Sequence, residues 1–134
     1  MRHLIDPLDF SQQEITSLLD LADRICADPA AYQDVAAHKK LATLFYEPST
    51  RTQMSFQTAM LRLGGTIIGF DNPSTSSVSK GENIKDTTKI VSSYADILVM
   101  RNPYEGSAKA AALTADCPVI NAVSYTHLTL PTIA

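Results

Sequence analysis

The sequence has few of the residues that mark special chemistry. Its 134 residues include two cysteines, three histidines and no tryptophan. Cys26 and Cys117 form no CxxC motif and stand in no pattern of metal ligands, so we expect two buried or half-buried free thiols and no cofactor. His3, His38 and His127 form no array with a nucleophile, so covalent catalysis is not indicated, and we expect the first two at the surface or its boundary.

A charge excess and long apolar runs are also absent. With 11 basic and 14 acidic residues the net charge is −3, which gives no sign of a basic surface for nucleic acid. No apolar run is long enough to cross a bilayer, and the N-terminal MRHLIDPLDF has too little apolar length for a signal peptide. We therefore expect a cytoplasmic protein with no nucleic-acid or membrane partner.

The remaining composition is that of one globular domain. Hydrophobic residues make up 45% and charged residues 19% of the sequence. A chain of this length buries about two-thirds of the surface that its unfolded form exposes, which is enough for a core without disulfides.

Apolar periodicity predicts alternating helices and strands. Ser11 and Glu14 form a capping box ahead of an apolar stripe, and a second helix starts near residues 50–52, ends at Gly64 and Gly65 and turns an apolar face to the core. The predicted helices are 11–27, 50–63, 81–95 and 105–115, and the predicted strands are 41–46, 66–70, 96–101 and 118–121. This alternation predicts an α/β fold, a three-layer domain with a four-stranded parallel sheet and helices on both faces.

A cluster of hydroxyls follows the first predicted strand. Ser49, Thr50, Arg51 and Thr52 stand where the strand turns into a helix, so backbone N–H groups and hydroxyls meet at the positive end of the helix dipole. The guanidinium of Arg51 matches phosphate or carboxylate oxygens. Alternatively, the hydroxyls simply cap the helix and Arg51 is solvated, but four such residues in a row favour an anion site.

Two further basic residues, Arg101 and Lys80, lie outside this cluster in the sequence. Arg101 ends a strand at the same edge of the predicted sheet, where a second cation would suit a dianion, although a lone arginine there would be read as surface. Lys80 lies in the polar segment 71–80, and spacing alone favours a solvated lysine in a mobile loop.

Four segments together resemble a known family. In order, FYEPSTRTQMSFQTAMLRLGG, SSVSKGENIKDT, DILVMRNP and CPVINA resemble the carbamoyl-phosphate-binding half of the aspartate carbamoyltransferases, over residues 1 to about 122. STRT marks the wider transcarbamylase family. EPSTRT together with the SxxxKGE loop resembles the aspartate branch rather than the ornithine branch.

The resemblance implies a role for each matching residue. Ser49, Thr50, Arg51 and Thr52 would bind the phosphate of carbamoyl phosphate, and Thr52 and Arg101 would reach its carbonyl oxygen, which Arg101 polarises. Ser76 and Lys80 match a loop that reaches the neighbouring active site in the family's trimer, which implies a homotrimer with shared sites. The implied catalytic residues are Arg51, Thr52, Lys80 and Arg101.

The implied reaction transfers a carbamoyl group. The amine of L-aspartate attacks the carbonyl carbon, and a tetrahedral intermediate releases phosphate and N-carbamoyl-L-aspartate, in de novo pyrimidine biosynthesis. Cations, hydroxyls and helix N–H groups can meet the developing negative charge. The departing phosphate is a suitable acceptor for the amine proton. The sequence leaves open whether a regulatory subunit is a further partner.

The C-terminal residues depart from the family. After PVINA the family continues with a Gly-Asp-Gly turn and His-Pro-Thr-Gln, whereas this chain reads VSYTHLTLPTIA, so we interpret 1–122 as the domain and 123–134 as a tail outside the family. The aspartate-binding domain is missing, so we expect the chain to bind carbamoyl phosphate without turning over aspartate and to expose apolar surface. The alternatives are an ornithine-type transcarbamylase and a non-catalytic phosphometabolite-binding domain.

Overall fold

A computed structural model describes residues 1–70 and 83–124 of the chain. Helices and strands alternate within these residues, as the sequence predicts. The helices are α1 (Gln12–Ala27), α2 (Thr50–Arg62), α3 (Ile84–Ser92) and α4 (Ser107–Thr114), and the strands are β1 (Lys40–Phe45), β2 (Thr66–Phe70), β3 (Ile97–Asn102) and β4 (Val119–Ser124). Two short 3-10 helices, Pro7–Asp9 and Pro29–Tyr32, were not predicted.

The four strands form one parallel sheet in the order β2-β1-β3-β4. In the register Leu41 lies beside Ile97 and Phe45 beside Arg101. The carboxyl ends of the central strands β1 and β3 therefore lie side by side, and the chain passes from the end of β1 into α2. In parallel sheets of this kind ligands bind outside the carboxyl ends of the strands.

Side chains alternate between the two faces of the sheet because successive residues of a strand point in opposite directions. Ala42 and Leu44 pack in a cluster with residues of α3 and α4. Leu41 and Phe45 pack on the other face with Met60 of α2. Both faces of the sheet are thus covered, which confirms the predicted α/β domain with helices on both faces.

The ends of several elements differ from the prediction. The helix α3 begins after Asn83, whose side chain accepts a hydrogen bond from Asp86 N, and ends at Ser92, so Tyr94 and Ala95 lie beyond it. Within α2, Met60 is buried, whereas Ala59 of the predicted apolar face is exposed. The strand β4 continues to Ser124, two residues into the segment 123–134 that we interpreted as a tail outside the family. The remaining tail, 125–134, and the polar segment 71–82 lie outside the described residues.

Helix α1 forms as predicted but buries none of its residues. The capping box is present, because Ser11 Oγ accepts from Glu14 N at 3.1 Å while Ser11 N donates to Glu14 Oε1 at 3.2 Å. In the predicted apolar stripe Leu18 and Leu19 are exposed, whereas Ile15 and Ile25 are half-buried, so the stripe is only partly covered. No helix among residues 1–70 and 83–124 is long and apolar enough to span a membrane.

The two cysteines differ in environment. Cys117 is buried in the core, as expected, and burial is the main cause that raises the pKa of its thiol to about 11, with smaller contributions from Asp96 and Asp116. Cys26 is exposed on α1, so the expectation that it is buried or half-buried is wrong. Cys26 lies near the end of α1, a helix none of whose residues is buried.

The histidines lie where the sequence suggested, as far as the described residues extend. His3 is half-buried, and its Nδ1 accepts a hydrogen bond from Val119 N at 2.9 Å. This bond helps to hold the N-terminal segment beside β4, where Leu4 pairs with Ile120. His38 is exposed, and His127 lies outside the described part of the chain.

Candidate functional site

The site is built where β1 and β3 end. Tyr46 N, just past β1, donates to Arg101 O at 2.8 Å, so the two strand ends are held together beyond the register of the sheet. Pro48 lacks an N–H and cannot continue the ladder, and the chain turns there into α2. Residues of the first turn of α2 are thereby brought beside the end of β3.

The N-terminus of α2 lacks the side-chain cap that its sequence suggests. Ser49 occupies the N-cap position, yet its side chain makes no capping hydrogen bond, and the first helical bond runs from Gln53 N to Ser49 O at 3.0 Å. Ser11 at the start of α1 does cap its helix. The same residue type thus acts differently at two helix starts, which counts against the capping interpretation of the hydroxyl cluster.

The uncapped helix end carries a partial positive charge. The first N–H groups of a helix have no partner within the helix, and with the helix dipole they attract anions. Thr50 and Arg51 are exposed beside these N–H groups, whereas Ser49 and Thr52 are half-buried. The arrangement is therefore open to a ligand from solvent.

Arg101 lies next to this helix end, as the sequence predicted. Its Nη1 donates to Thr52 Oγ1 at 3.4 Å, which joins two of the predicted site residues. Its Nε donates to Glu47 Oε1 at 2.8 Å, and the side chains of Arg101 and Glu47 are only 19% and 22% exposed. An ion pair so shielded from water is stronger than one on an open surface.

Glu47 is a residue of the site that sequence reasoning did not assign. It stands before Pro48 in the EPSTRT motif, and the signal that could have identified it was a lone carboxylate beside three hydroxyls and one arginine. Arginine has five N–H donors, and the bonds to Glu47 and Thr52 use two of them. The side chain of Glu47 thus already binds the guanidinium of Arg101, which an incoming anionic ligand would also need.

A buried polar cluster beneath the helix start was also missed. Thr43 Oγ1 accepts hydrogen bonds from Gln53 Nε2 at 3.3 Å and from Gln57 Nε2 at 3.4 Å. The signal in the sequence was a threonine within the otherwise apolar run LATLF. This cluster ties α2 to the middle of β1.

Several predicted features lie elsewhere. Ser76 and Lys80 fall in 71–82, outside the described residues, so their roles stay predictions. A separate cleft is lined by residues of the N-terminal segment and α4, among them Arg2, Asp9 and Lys109, but by no predicted site residue. Residues 1–70 and 83–124 contain no group of three or more histidine, cysteine, aspartate or glutamate side chains placed to hold a metal ion.

Comparison with known proteins gives a consistent result. Residues 2–130 match the family model described as aspartate/ornithine carbamoyltransferase, carbamoyl-P binding domain. The aspartate carbamoyltransferase catalytic subunit of Clostridium perfringens is 56% identical over 126 residues, which are 94% of this chain and 41% of that protein. The chain therefore spans about two-fifths of the length of the curated relatives it matches.

Two solved structures show the same fold. The catalytic subunit of M. jannaschii aspartate transcarbamoylase superposes with a TM-score of 0.84 at 44% identity, covering 93% of this chain and 42% of that one. The aspartate transcarbamoylase of Trypanosoma cruzi, solved in complex with carbamoyl phosphate and aspartate, has a TM-score of 0.84 at 34% identity, covering 92% of this chain and 41% of that one.

Proposed function

This chain belongs to the aspartate and ornithine carbamoyltransferase family, as its carbamoyl-phosphate-binding domain, and we propose that it binds carbamoyl phosphate where β1 and β3 end. We propose further that it is part of a longer enzyme that transfers the carbamoyl group to L-aspartate. The observation that carries the proposal is the uncapped N-terminus of α2 beside the guanidinium of Arg101.

The phosphate occupies the positive end of α2. Ser49, Thr50 and Thr52 supply hydroxyls, Arg51 supplies a cation, and the N–H groups of the first turn point toward the same space. Helix N-termini bind phosphate in this way in many proteins. The exposed positions of Thr50 and Arg51 leave this side of the site open to solvent, which supports the assignment.

The carbamoyl end lies toward Arg101. A phosphate at the helix N-terminus would leave the carbonyl oxygen near Thr52 and Arg101, which are already hydrogen-bonded to each other. To contact the ligand, Arg101 gives up part of its interaction with Glu47, and this loss lowers the net affinity for carbamoyl phosphate. The cation then polarises the carbonyl and stabilises the oxyanion of the tetrahedral intermediate.

Attack by the aspartate amine completes the reaction. The amine adds to the carbonyl carbon, the bond from carbon to the bridging phosphate oxygen breaks, and N-carbamoyl-L-aspartate and phosphate leave. The departing phosphate accepts the amine proton. Holding both substrates in one site contributes through proximity.

The choice of aspartate rests on sequence rather than geometry. Ser76 and Lys80 in SSVSKGE support the aspartate branch, with Lys80 and its loop supplied by a neighbouring subunit of a homotrimer. A regulatory subunit, a role in pyrimidine biosynthesis and a cytoplasmic location are parts of the same proposal. So is the division of the chain into a domain, 1–122, and a tail, 123–134.

The chain alone is expected to bind without turnover. It spans only about two-fifths of the length of the relatives it matches. For this chain, binding of carbamoyl phosphate is therefore the activity to test.

Calorimetry with freshly dissolved carbamoyl phosphate and with inorganic phosphate is the direct experiment. A site shaped for the carbamoyl group should bind carbamoyl phosphate at least about tenfold more tightly, because only that ligand reaches Arg101 through its carbonyl. Equal affinity for the two ligands would reject the proposal in favour of a general phosphate site. Ornithine-type and aspartate-type enzymes share this step and would be separated only by the second substrate.

A further inference from the structure

The middle of β1 carries a buried hydroxyl in an otherwise apolar strand. Thr43 is 0% exposed and lies on the same face as Leu41 and Phe45, the face that packs against α2. A buried hydroxyl without partners is destabilising, so its partners are informative. Thr43 Oγ1 donates to Ile68 O at 3.4 Å and accepts from the side-chain amides of Gln53 and Gln57.

These three bonds use the full capacity of the hydroxyl, which can donate once and accept twice. Gln53 and Gln57 are four residues apart and therefore lie on the same face of α2. Gln53 is 8% exposed and belongs to the beginning of the helix, whereas Gln57 lies one turn further on. The two amides thus make equivalent bonds at different distances from the helix N-terminus.

The neighbouring strand leaves room for this hydroxyl. Gly69 of β2 pairs with Thr43 and has a φ of +139°. A Cβ atom at this position would lie 2.5 Å from Thr43 Oγ1 and closer still to Thr43 O. The sheet therefore fixes where the hydroxyl lies, and a rigid hydroxyl is a suitable anchor.

The first turn of α2 has a clear need for such an anchor. Ser49 provides no side-chain cap, and the bond to Thr52 comes from Arg101, the residue that must turn toward the carbonyl oxygen of the ligand. The bond from Gln53 to Thr43 lies beneath the site and involves no ligand-binding group. It can hold the helix start in the same place before and after binding.

We propose that Gln53 is a positioning residue of the carbamoyl phosphate site. Its side-chain amide fixes the first turn of α2 on Thr43, so that the N–H groups and side chains of Thr50–Thr52 stay aligned for the phosphate. The inference rests on the proposed function, and it adds a residue that touches no substrate. A small misplacement of such groups is costly, because binding to a helix N-terminus depends on several N–H groups pointing at one anion.

The test compares Gln53→Met with Gln57→Met in the full chain. Each variant removes one amide bond to the same hydroxyl at similar side-chain length. We expect Gln53→Met to weaken carbamoyl phosphate binding about tenfold, and Gln57→Met to leave it within about twofold. Both should lower the urea midpoint by similar amounts, so a general loss of stability would move the two variants together.

Thr43 supplies the matching pair of variants. Thr43→Val removes the hydroxyl at constant shape and should reproduce the binding loss of Gln53→Met. Thr43→Ser keeps the hydroxyl and should rescue binding to within about twofold of the unmodified chain. The double variant Gln53→Met with Thr43→Val should bind no more weakly than either single variant, because both remove the same bond.

A readout without ligand separates this inference from the proposed function. Backbone NMR order parameters of residues 50–52 should fall in Gln53→Met and not in Gln57→Met. If the unmodified chain binds neither carbamoyl phosphate nor phosphate, the proposed function fails, and the order parameters still decide the role of Gln53. Unchanged order and binding in Gln53→Met, or equal effects of the two variants, would overturn the inference.

Discussion

At the scale of single residues, the ion pair between Arg101 and Glu47 is the feature with the most consequences. It places a carboxylate against the guanidinium that the ligand must use, in a setting that is largely shielded from water. The pair keeps Arg101 near Thr52 and at the same time competes with an incoming anion. Binding is therefore a replacement of one anion by another.

Glu47→Gln tests this competition. The variant keeps the shape of the side chain and removes the negative charge that competes for Arg101, so we expect the affinity for carbamoyl phosphate to rise about threefold to tenfold. The partly buried ion pair is lost, so the free energy of unfolding should fall by about 1 kcal/mol. Calorimetry and urea unfolding measure the two effects. An affinity for carbamoyl phosphate that falls would mean that Glu47 chiefly positions Arg101.

Glu14 gives a residue-scale prediction about pH. The Arg2 guanidinium, followed by the N–H of Ser11, lowers the pKa of Glu14 from its ordinary value of 4.5 to about 2. Because the pKa is lower in the folded state, the stabilisation is present above pH 4.5 and is lost as the pH falls toward 2. An NMR titration should give a midpoint well below 4.5 that rises in Arg2→Gln. The same midpoint in both proteins would show that Arg2 is not the cause.

The residues of the site were predictable to different degrees. Thr52 and Arg101 were expected close together because the carboxyl ends of parallel strands lie side by side. In the structure Arg101 Nη1 lies 3.4 Å from Thr52 Oγ1. Glu47, Thr43 and Gln53 were not assigned roles. Their contacts join residues 10 and 54 positions apart, and such contacts are set by packing that a linear pattern does not contain.

At the scale of elements, the two serine-led helix starts differ in what stabilises them. Ser11 caps α1, whereas Ser49 leaves the start of α2 open. The sequence predicted both starts within about a residue or two. It could not predict that only one serine caps, because the difference depends on the φ and ψ angles at the cap.

Paired alanine variants test this difference. Ser11→Ala should reduce the local stability of α1 by about 1 kcal/mol, which amide hydrogen exchange of that helix measures. Ser49→Ala should change the free energy of unfolding by less than about 0.5 kcal/mol, since no capping bond is lost. It should instead weaken binding of carbamoyl phosphate. An equal loss of stability in the two variants would restore the capping interpretation.

The extent of the elements was less predictable than their order. The run PVIN indicated the start of β4, but the strand continues to Ser124 because its backbone pairs with Asn102 of β3. Helix α1 was predicted from its apolar stripe, yet Leu18 and Leu19 of that stripe are exposed. Periodicity shows which side chains share a face, and it does not show whether that face finds a partner.

At the scale of the whole molecule, the two cysteines report on folding. Cys117 is buried with a pKa raised to about 11, whereas Cys26 is exposed on α1. At about pH 8 a thiol reagent should label Cys117 at least about a hundredfold more slowly than Cys26, because thiolate fraction and access both fall. Mass spectrometry of labelled peptides measures the ratio. Urea should abolish the difference, and rapid labelling of Cys117 without urea would contradict the described core.

The carboxyl ends of the strands bring Arg101 beside the open start of α2, and we propose that together they form a carbamoyl phosphate site. Arg101→Gln removes the cation and keeps a polar side chain, and Arg24→Gln removes an exposed arginine of α1 as the matched control. The most direct measurement is the ratio of carbamoyl phosphate to phosphate affinity in these variants.

We predict that Arg101→Gln reduces the preference for carbamoyl phosphate to within about twofold of phosphate, while Arg24→Gln leaves the preference of the unmodified chain unchanged. An Arg101→Gln variant that still prefers carbamoyl phosphate as strongly as the unmodified chain would contradict the account.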